Sequence, residues 1–224
     1  MQRIFDICFS GVALLVLSPL LLPLMLLLRV TGEGEIFFPQ NRVGRGGKYF
    51  KLYKFATMLK NSPNVGTGTV TVKNDPRILP AGRFLRNTKI NELPQLINIF
   101  KGDMSVIGPR PQTQRCFDAF PLSAQNEIKK VRPGLSGIGS IIFRNEEDMM
   151  HANNDPDKFY DEIVMPYKGS LEDWYVSNQS IASYFSLIGI TVWVVLSSNS
   201  DLVWAMFQDL PEPPAELKQP LNYT

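Results

Sequence analysis

From Ile7 to Leu28 no residue of this chain carries a charge, and Arg3 and Arg29 bracket the run. As a helix, these twenty-two residues would reach roughly 33 Å at about 1.5 Å each, against a hydrocarbon core of about 30 Å. No other feature constrains the fold as much, because so long an apolar run needs a lipid phase or a large core to enclose it. A cleaved leader is disfavoured, since Asp6 interrupts the basic segment a leader needs and no small-x-small site follows. Ser18-Pro19 and Pro23 fall inside the run. Each proline removes an amide donor and crowds the preceding turn, so a kink is expected. The carbonyls freed near Leu14 and Leu15 need a donor, and the Ser18 hydroxyl can reach back to one. The residues themselves allow a simple span or a re-entrant hairpin that enters and leaves one leaflet. A span leaves only a handful of residues, Arg3 among them, on the far side.

The 224 residues suit one ordinary domain with an appendage. A net charge of +2 is too small to argue for nucleic acid, and none is expected as a partner. Its distribution says more. Lys and Arg recur from Arg42 to Arg115 and again at Lys129, Lys130 and Arg132, which suits a surface resting on anionic lipid or handling phosphates. A generic solvated basic surface has the same composition, so the motifs must decide. Cys8 and Cys116 have no metal-ligand spacing and form no disulfide framework, which points to a reducing compartment. With His151 as the single histidine, a His-rich metal site and a paired-histidine acid–base scheme are both excluded. Carboxylates, Arg and Lys must carry any chemistry.

Short strands are expected at Ile36 to Phe38 and Tyr49 to Phe55, around the Gly-rich turn Gly44 to Gly47. Asn61 to Lys73 is polar and reads as a loop. A helix is expected to open at Asn91, a favoured N-cap, with Pro94 in its first turn and Leu93, Leu96, Ile97 and Phe100 on one face; it stops at Lys101-Gly102. Ile181 to Leu196 would reach only about 24 Å as a helix, short for a span, so a buried or interface-lying helix is expected. Trp174, Trp193 and Trp204 would lie near the headgroups. The tail from Asp209, with Pro211, Pro213, Pro214 and Pro220, is expected to lack regular structure and to drape or link.

Three constellations could carry chemistry. A helix opening at Asn91-Glu92 would aim free amides at whatever lies ahead, a natural place for a diphosphate. In Gly108-Pro109-Arg110-Pro111 two prolines fix φ and restrict the residue before each, so Arg110 stands on a stiff backbone and loses little entropy on gripping a phosphate. Arg86 lies five residues before Asn91, and the acids Glu146, Glu147 and Asp148 cluster in FRNEED. A rigid turn, an N-cap and surface charges would account for each of these singly.

Taken together, residues 86 to 111, RNTKINELPQLINIFKGDMSVIGPRP, resemble the signature of the bacterial sugar transferases, or monotopic phosphoglycosyl transferases. YKFATM, with Lys54, Thr57 and Met58, is similar to the family's YKFRTM, with Ala56 at its usual basic residue. VRPGLSGIG, residues 131 to 139, resembles RPGITGWAQ, with Ile138 in place of the Trp and Ser140 at the usual Gln. The resemblance implies a helix-rich α+β monotopic membrane protein. Residues 1–30 would form a re-entrant helical hairpin broken at Ser18-Pro19, residues 31–208 a small mixed catalytic domain with interfacial helices, and residues 209–224 a Pro-rich tail. It implies transfer of a sugar-1-phosphate from a UDP-sugar to undecaprenyl phosphate with release of UMP, on the cytoplasmic face of the bacterial inner membrane. A second copy of the chain is left open as a partner.

The implied roles fall residue by residue. Arg86, Asn91 and Glu92 occupy the catalytic positions, and Glu92 is tied to Mg²⁺. Lys54, Thr57, Met58, Pro109, Arg110, Pro111 and Arg132 line the substrate. One position departs from the family: its Asp-Glu dyad reads Asn91-Glu92 here. In the family the Asp is the proposed nucleophile, and a neutral amide oxygen is a poor nucleophile towards phosphorus. Three accounts are open: an engineered variant with its nucleophile removed, a natural binder that has lost turnover, or relocation of the nucleophile to Glu146, Glu147 or Asp148.

Overall fold

The computed structural model describes residues 1–31, 33–62, 75–151, 155–197 and 201–223, apart from the side chains of residues 147, 148 and 151. Most of the expected loop Asn61 to Lys73 lies outside the described residues. The architecture is helix-rich α+β, as the sequence implies, with short two-stranded sheets.

The apolar run folds as one uninterrupted helix, α1 (Gln2–Val30), with Pro19 and Pro23 inside it. Pro19 cannot bond the carbonyl of Leu15, and the Ser18 hydroxyl donates to that oxygen instead, at 2.7 Å. Val12, Leu15, Val16, Leu22 and Leu26 are each more than 60% exposed. In water each would forgo roughly 1.5–3 kcal/mol of burial. The helix is long and apolar enough to cross a membrane by length and composition. Outward-facing side chains of this kind find an apolar phase only in lipid, so α1 is the element that associates the chain with a membrane.

The chain divides into two units. One comprises residues 7–41 and 51–101, and the other residues 1–6, 42–50 and 102–224. Strand β1 (Phe37–Val43) pairs with β2 (Tyr49–Phe55), both contributing to each unit. β1 runs further than the expected Ile36 to Phe38 because the turn is tight. Gly46 and Gly47 take φ of 69° and 72°, a region open to glycine, and reverse the chain within a 3₁₀ turn, Arg45–Gly47.

In the first unit, helices α2 (Pro80–Asn87) and α3 (Gln95–Lys101) follow β2. Leu21 and Leu28 of α1 pack with Phe55 and Leu85, and Phe37 stacks on Phe55 with ring centroids 5.7 Å apart. Asn98 on α3 is fully buried and serves as a surrogate strand for β2. Its Oδ1 accepts the Tyr53 N–H at 3.0 Å and its Nδ2 donates to Lys51 O at 2.7 Å.

In the second unit, β3 (Ser105–Ile107) lies parallel to β4 (Gly134–Ser136), with Ser105 opposite Gly134 and Ile107 opposite Ser136. Helices α4 (Gln114–Asp118) and α5 (Leu122–Ile128) separate them in sequence. After β4 come α6 (Ile138–Ile142), α7 (Glu146–His151), α8 (Pro156–Phe159), a π-helical turn at Tyr160–Val164, α9 (Met165–Ser177) and α10 (Ile181–Ser197). Two short helices, α11 (Leu202–Met206) and α12 (Ala215–Lys218), complete the chain. The expected helix at Ile181 to Leu196 is present as α10 and is buried along one face: Tyr184, Leu187, Ile190 and Val194 enter the core while Val192, Val195 and Leu196 are exposed.

The start of α1 is fastened to this unit by Asp6. Its buried Oδ1 accepts hydrogen bonds from Ser105 Oγ, Val106 N and Tyr184 OH, each at 2.9 Å. The tail corrects the expectation of irregular structure at one place, since α12 is helical. It is draped rather than free: Leu210, Leu217 and Leu221 are buried in the core and Tyr167 OH donates to Pro211 O at 2.8 Å. Prolines 211, 213 and 214 break the backbone only up to the first turn of α12, where Pro214 is tolerated as the N-cap.

Candidate active site

Lys54, Thr57, Met58, Arg86, Asn91 and Glu92 all belong to the unit formed by residues 7–41 and 51–101. The chain leaving β2 carries Thr57, whose carbonyl accepts the Leu79 N–H at 2.9 Å just before α2. A side chain at Gly82 would place its Cβ under 3.0 Å from the Thr57 backbone, so α2 packs this closely only because residue 82 is glycine. One turn further along α2 stands Arg86, whose NH1 lies 3.7 Å from Met58 Sδ. The YKFATM segment and Arg86 are thus brought together by a backbone-on-backbone contact.

Lys89 then turns the chain sharply, with φ of 59°. Consecutive i to i+3 bonds follow, from Glu92 N to Lys89 O and Leu93 N to Ile90 O. The dyad therefore sits inside a single 3₁₀ turn, Ile90–Glu92, and not at the opening of the α-helix. The expected N-cap role of Asn91 is corrected, because the left-handed Lys89 starts a tighter helix two residues early, and α3 begins only at Gln95. The α-helix opening that would aim free amides at a diphosphate is therefore not at Asn91.

What remains is the side-chain arrangement. Lys54 Nζ and Glu92 Oε1 pair at 3.1 Å, both side chains less than a fifth exposed. Asn91 is 6% exposed, and its Oδ1 is buried with no hydrogen-bond partner. A buried oxygen left unsatisfied is costly and marks a place where a ligand or ion completes the structure. Among the described residues there is no group of three or more His, Cys, Asp or Glu placed to hold a metal.

Pro109, Arg110, Pro111, Arg132 and Glu146 belong to the other unit. Gly108, Gly134 and Gly137 meet backbone to backbone, so that a Cβ on any of them would strike its neighbour. Gly108 N donates to Ser136 O at 2.9 Å and Gly134 N to Pro109 O at 2.8 Å. These contacts lock the GPRP turn onto the RPGLSG segment. Pro109 and Pro111 are buried while Arg110 between them is exposed, as a stiff turn presenting a cation requires.

Sequence reasoning missed Glu172, which lies in α9 beneath this turn. It is fully buried, and burial pushes its carboxyl up to about 7, opposed by the nearby Lys168 charge and by a hydrogen bond from the Arg110 backbone N–H. A Cβ on Gly139 would come within 2.5 Å of Glu172 Oε1, so Gly139 makes room for this acid. Its Oε2 has no partner. The available signal was an acid in a stretch whose neighbours Leu171 and Tyr175 are core residues.

Glu146 is committed elsewhere. It accepts from Lys168 Nζ at 2.6 Å, and Lys168 is itself buried under the Phe143 ring at 4.9 Å. A carboxylate holding a buried ammonium is poorly placed to leave it for phosphorus. Glu147 and Asp148 lie on α7, but their side chains fall outside the described residues. Arg132 donates from Nε to Gly102 O at 2.9 Å, in a cavity with Arg3 and Arg45.

A family model described as bacterial sugar transferase matches residues 1–198. The chain is 36% identical over 159 residues to the exopolysaccharide production protein ExoY of Rhizobium meliloti, covering 65% of this chain and 70% of that protein. It is 33% identical over 211 residues to the undecaprenyl-phosphate galactose phosphotransferase of Salmonella typhimurium, covering 88% of this chain but 40% of the relative. It is also 36% identical over 154 residues to the UDP-glucose:undecaprenyl-phosphate glucose-1-phosphate transferase of Klebsiella pneumoniae, covering 66% of this chain and 32% of the relative. The chain therefore spans less than half the length of these two named transferases.

Proposed function

Since this chain belongs to the bacterial sugar transferase family, we propose that it moves a sugar-1-phosphate from a UDP-sugar to undecaprenyl phosphate and releases UMP, an early membrane step in building a surface glycan. The observation that carries this reading is the cluster of Lys54, Arg86, Glu92 and the unsatisfied Asn91 Oδ1 within one unit. Two cations, one acid and an orphan oxygen are what a charge-neutralising phosphoryl-transfer site needs. In the other unit Arg110 stands exposed on its proline-stiffened turn, a cation suited to gripping a phosphate.

Asn91 decides the form of the reaction. With no carboxylate at 91, and with Glu146 bound to Lys168, the step best supported is direct. An oxygen of the acceptor phosphate attacks the β-phosphorus, the bond from that phosphorus to the bridging oxygen breaks, and UMP leaves with the electron pair. No proton transfer is required, because the attacking phosphate is already ionised. Glu92 and Asn91 Oδ1 are hard oxygen donors on one turn and fit a Mg²⁺ ion whose remaining ligands are water and phosphate. Bound there, the ion would neutralise diphosphate charge.

On the membrane side, α1 lies in the bacterial inner membrane as a re-entrant element, and the rest of the chain faces the cytoplasm. Support comes from its central Ser18-Pro19 and Pro23 and from Arg3 and Arg29 at its two ends. Labelling a Gln2→Cys variant in a cysteine-free background checks this. Reaction only from the cytoplasmic side is expected, and periplasmic reaction would refute the hairpin.

Purified chain with Mg²⁺, undecaprenyl phosphate and a panel of UDP-sugars should release UMP with at least one sugar. A second reading, a catalytically silent membrane protein that binds the same donor, is favoured by Asn91 alone. UDP-sugar binding by calorimetry, without UMP release from any donor, would establish it in place of the first.

A further inference from the structure

A cavity of about 150 Å³ opens in the unit that contains residues 1–6, 42–50 and 102–224. Its lining includes Arg3, Arg45, Lys130 and Arg132, with Asp6 and Ser105. Four cations from three stretches of sequence have been drawn to one place, and the contacts that hold them there are specific. Gly102 takes a φ of +100°, and a Cβ on it would come within 3.2 Å of Arg3 NH2, so the Arg3 guanidinium packs flat against this glycine. The carbonyl of the same glycine accepts Arg132 Nε at 2.9 Å. Gly46 N donates to Lys129 O at 2.7 Å, which seats the Arg45 turn beside Lys130.

Like charges so gathered repel one another, and the repulsion grows as water is withdrawn. Arg132 registers it: its basicity is lowered by burial first, then by Arg3 and Arg45, with only Asp6 opposing. Asp6, whose Oδ1 accepts Ser105 Oγ, Val106 N and Tyr184 OH, is one negative charge against the four cations and offsets them only in part. Lys130, which also pairs with Glu127, lines the cavity together with the guanidinium groups of Arg3, Arg45 and Arg132. Guanidinium forks suit an oxyanion with several oxygens. The cavity is smaller than the roughly 300–1,000 Å³ of pockets that enclose drug-sized ligands. A single phosphate group fits within it.

We propose that the cavity lined by Arg3, Arg45, Lys130 and Arg132 binds one phosphate group, carried by a lipid headgroup or by a soluble phosphate. Its position argues for a headgroup-level site, because the lining residues Gln2, Arg3 and Asp6 immediately precede the apolar part of α1. The site requires neither a UDP-sugar nor turnover, so its test is independent of the proposed reaction.

The full chain in non-ionic detergent is titrated calorimetrically, at constant ionic strength, with inorganic phosphate and with short-chain phosphatidic acid. Arg45→Gln/Lys130→Gln is compared with Lys51→Gln/Lys158→Gln, which removes the same charge elsewhere. At least one probe should bind the unaltered chain. The first double variant should weaken it roughly 30-fold, on about one kcal/mol per cation, and the second by no more than about twofold. Binding of phosphatidic acid alone identifies a lipid headgroup, inorganic phosphate alone a soluble anion, and both a site that reads the phosphate whatever carries it. Protection of Arg3, Arg45 and Arg132 from phenylglyoxal by the bound probe, in the unaltered chain, gives the same answer without any substitution. Binding by neither probe, equal weakening in the two double variants, or no protection overturns the proposal.

Discussion

Replacing Glu172 with glutamine isolates the cost of a buried charge beneath the GPRP turn. The folded carboxyl is pushed up to about 7 from an ordinary value of 4.5, chiefly by burial. Between these values the folded chain holds a proton that the unfolded chain has lost, so stability falls as pH rises through this window. The penalty is absent below about pH 4.5, grows to pH 7 and is constant above it. At about 1.4 kcal/mol for each tenfold step, it reaches roughly 3 kcal/mol. Glutamine keeps the acceptor for the Arg110 N–H and matches the shape that Gly139 accommodates, but it does not ionise. The stability gap between Glu172→Gln and the unaltered chain should therefore widen by about 3 kcal/mol in favour of the variant between pH 4.5 and pH 8. For a chain of this length that is roughly 6–12 °C in melting temperature. Denaturant unfolding of both proteins in detergent, followed by tryptophan fluorescence, measures the gap at each pH, and other groups cancel in the comparison. A gap that does not change with pH would refute the reasoning.

Gly82→Ala should cost about 1–3 kcal/mol, because its Cβ meets the Thr57 backbone, which cannot swing aside; thermal melting checks it. Asp6→Ala leaves three donors without their acceptor. It should lower stability by about 3 kcal/mol or more, read as a melting shift of roughly 6 °C or greater. Lys54→Met removes the cation beside Glu92 and should reduce UMP release at least about tenfold while circular dichroism stays unchanged.

Much of this was legible because local chemistry and fold agree. The uncharged run from Ile7 to Leu28 is a long helix as its pattern requires, and Ser18 bonds the carbonyl that Pro19 abandons. The prolines around Arg110 dictate an exposed cation on a stiff turn. What escaped depends on distant partners. Lys89 adopts a left-handed conformation that lysine seldom takes, and it moves Asn91 from a helix cap into a 3₁₀ turn. Nothing near Glu146 in sequence announces Lys168 as its partner, since the pair spans two helices. Glu172 is buried because Gly139 and the Arg110 backbone meet it, and neither contact has a local signature. The tail's prolines predicted irregularity correctly for most of its length but said nothing of Leu210, Leu217 and Leu221, whose burial holds it to the core.

The direct reaction is tested most sharply by rapid mixing with UDP-sugar and Mg²⁺ in the absence of any lipid acceptor. With asparagine at 91 no UMP should be released until undecaprenyl phosphate is added, because a neutral amide at this position does not take up the phosphosugar. Asn91→Asp should instead release about one equivalent of UMP at once and retain the sugar phosphate on the protein. A burst from the unaltered chain would reveal another nucleophile, and no burst from Asn91→Asp would show that the reaction occurs somewhere other than the turn at Ile90–Glu92.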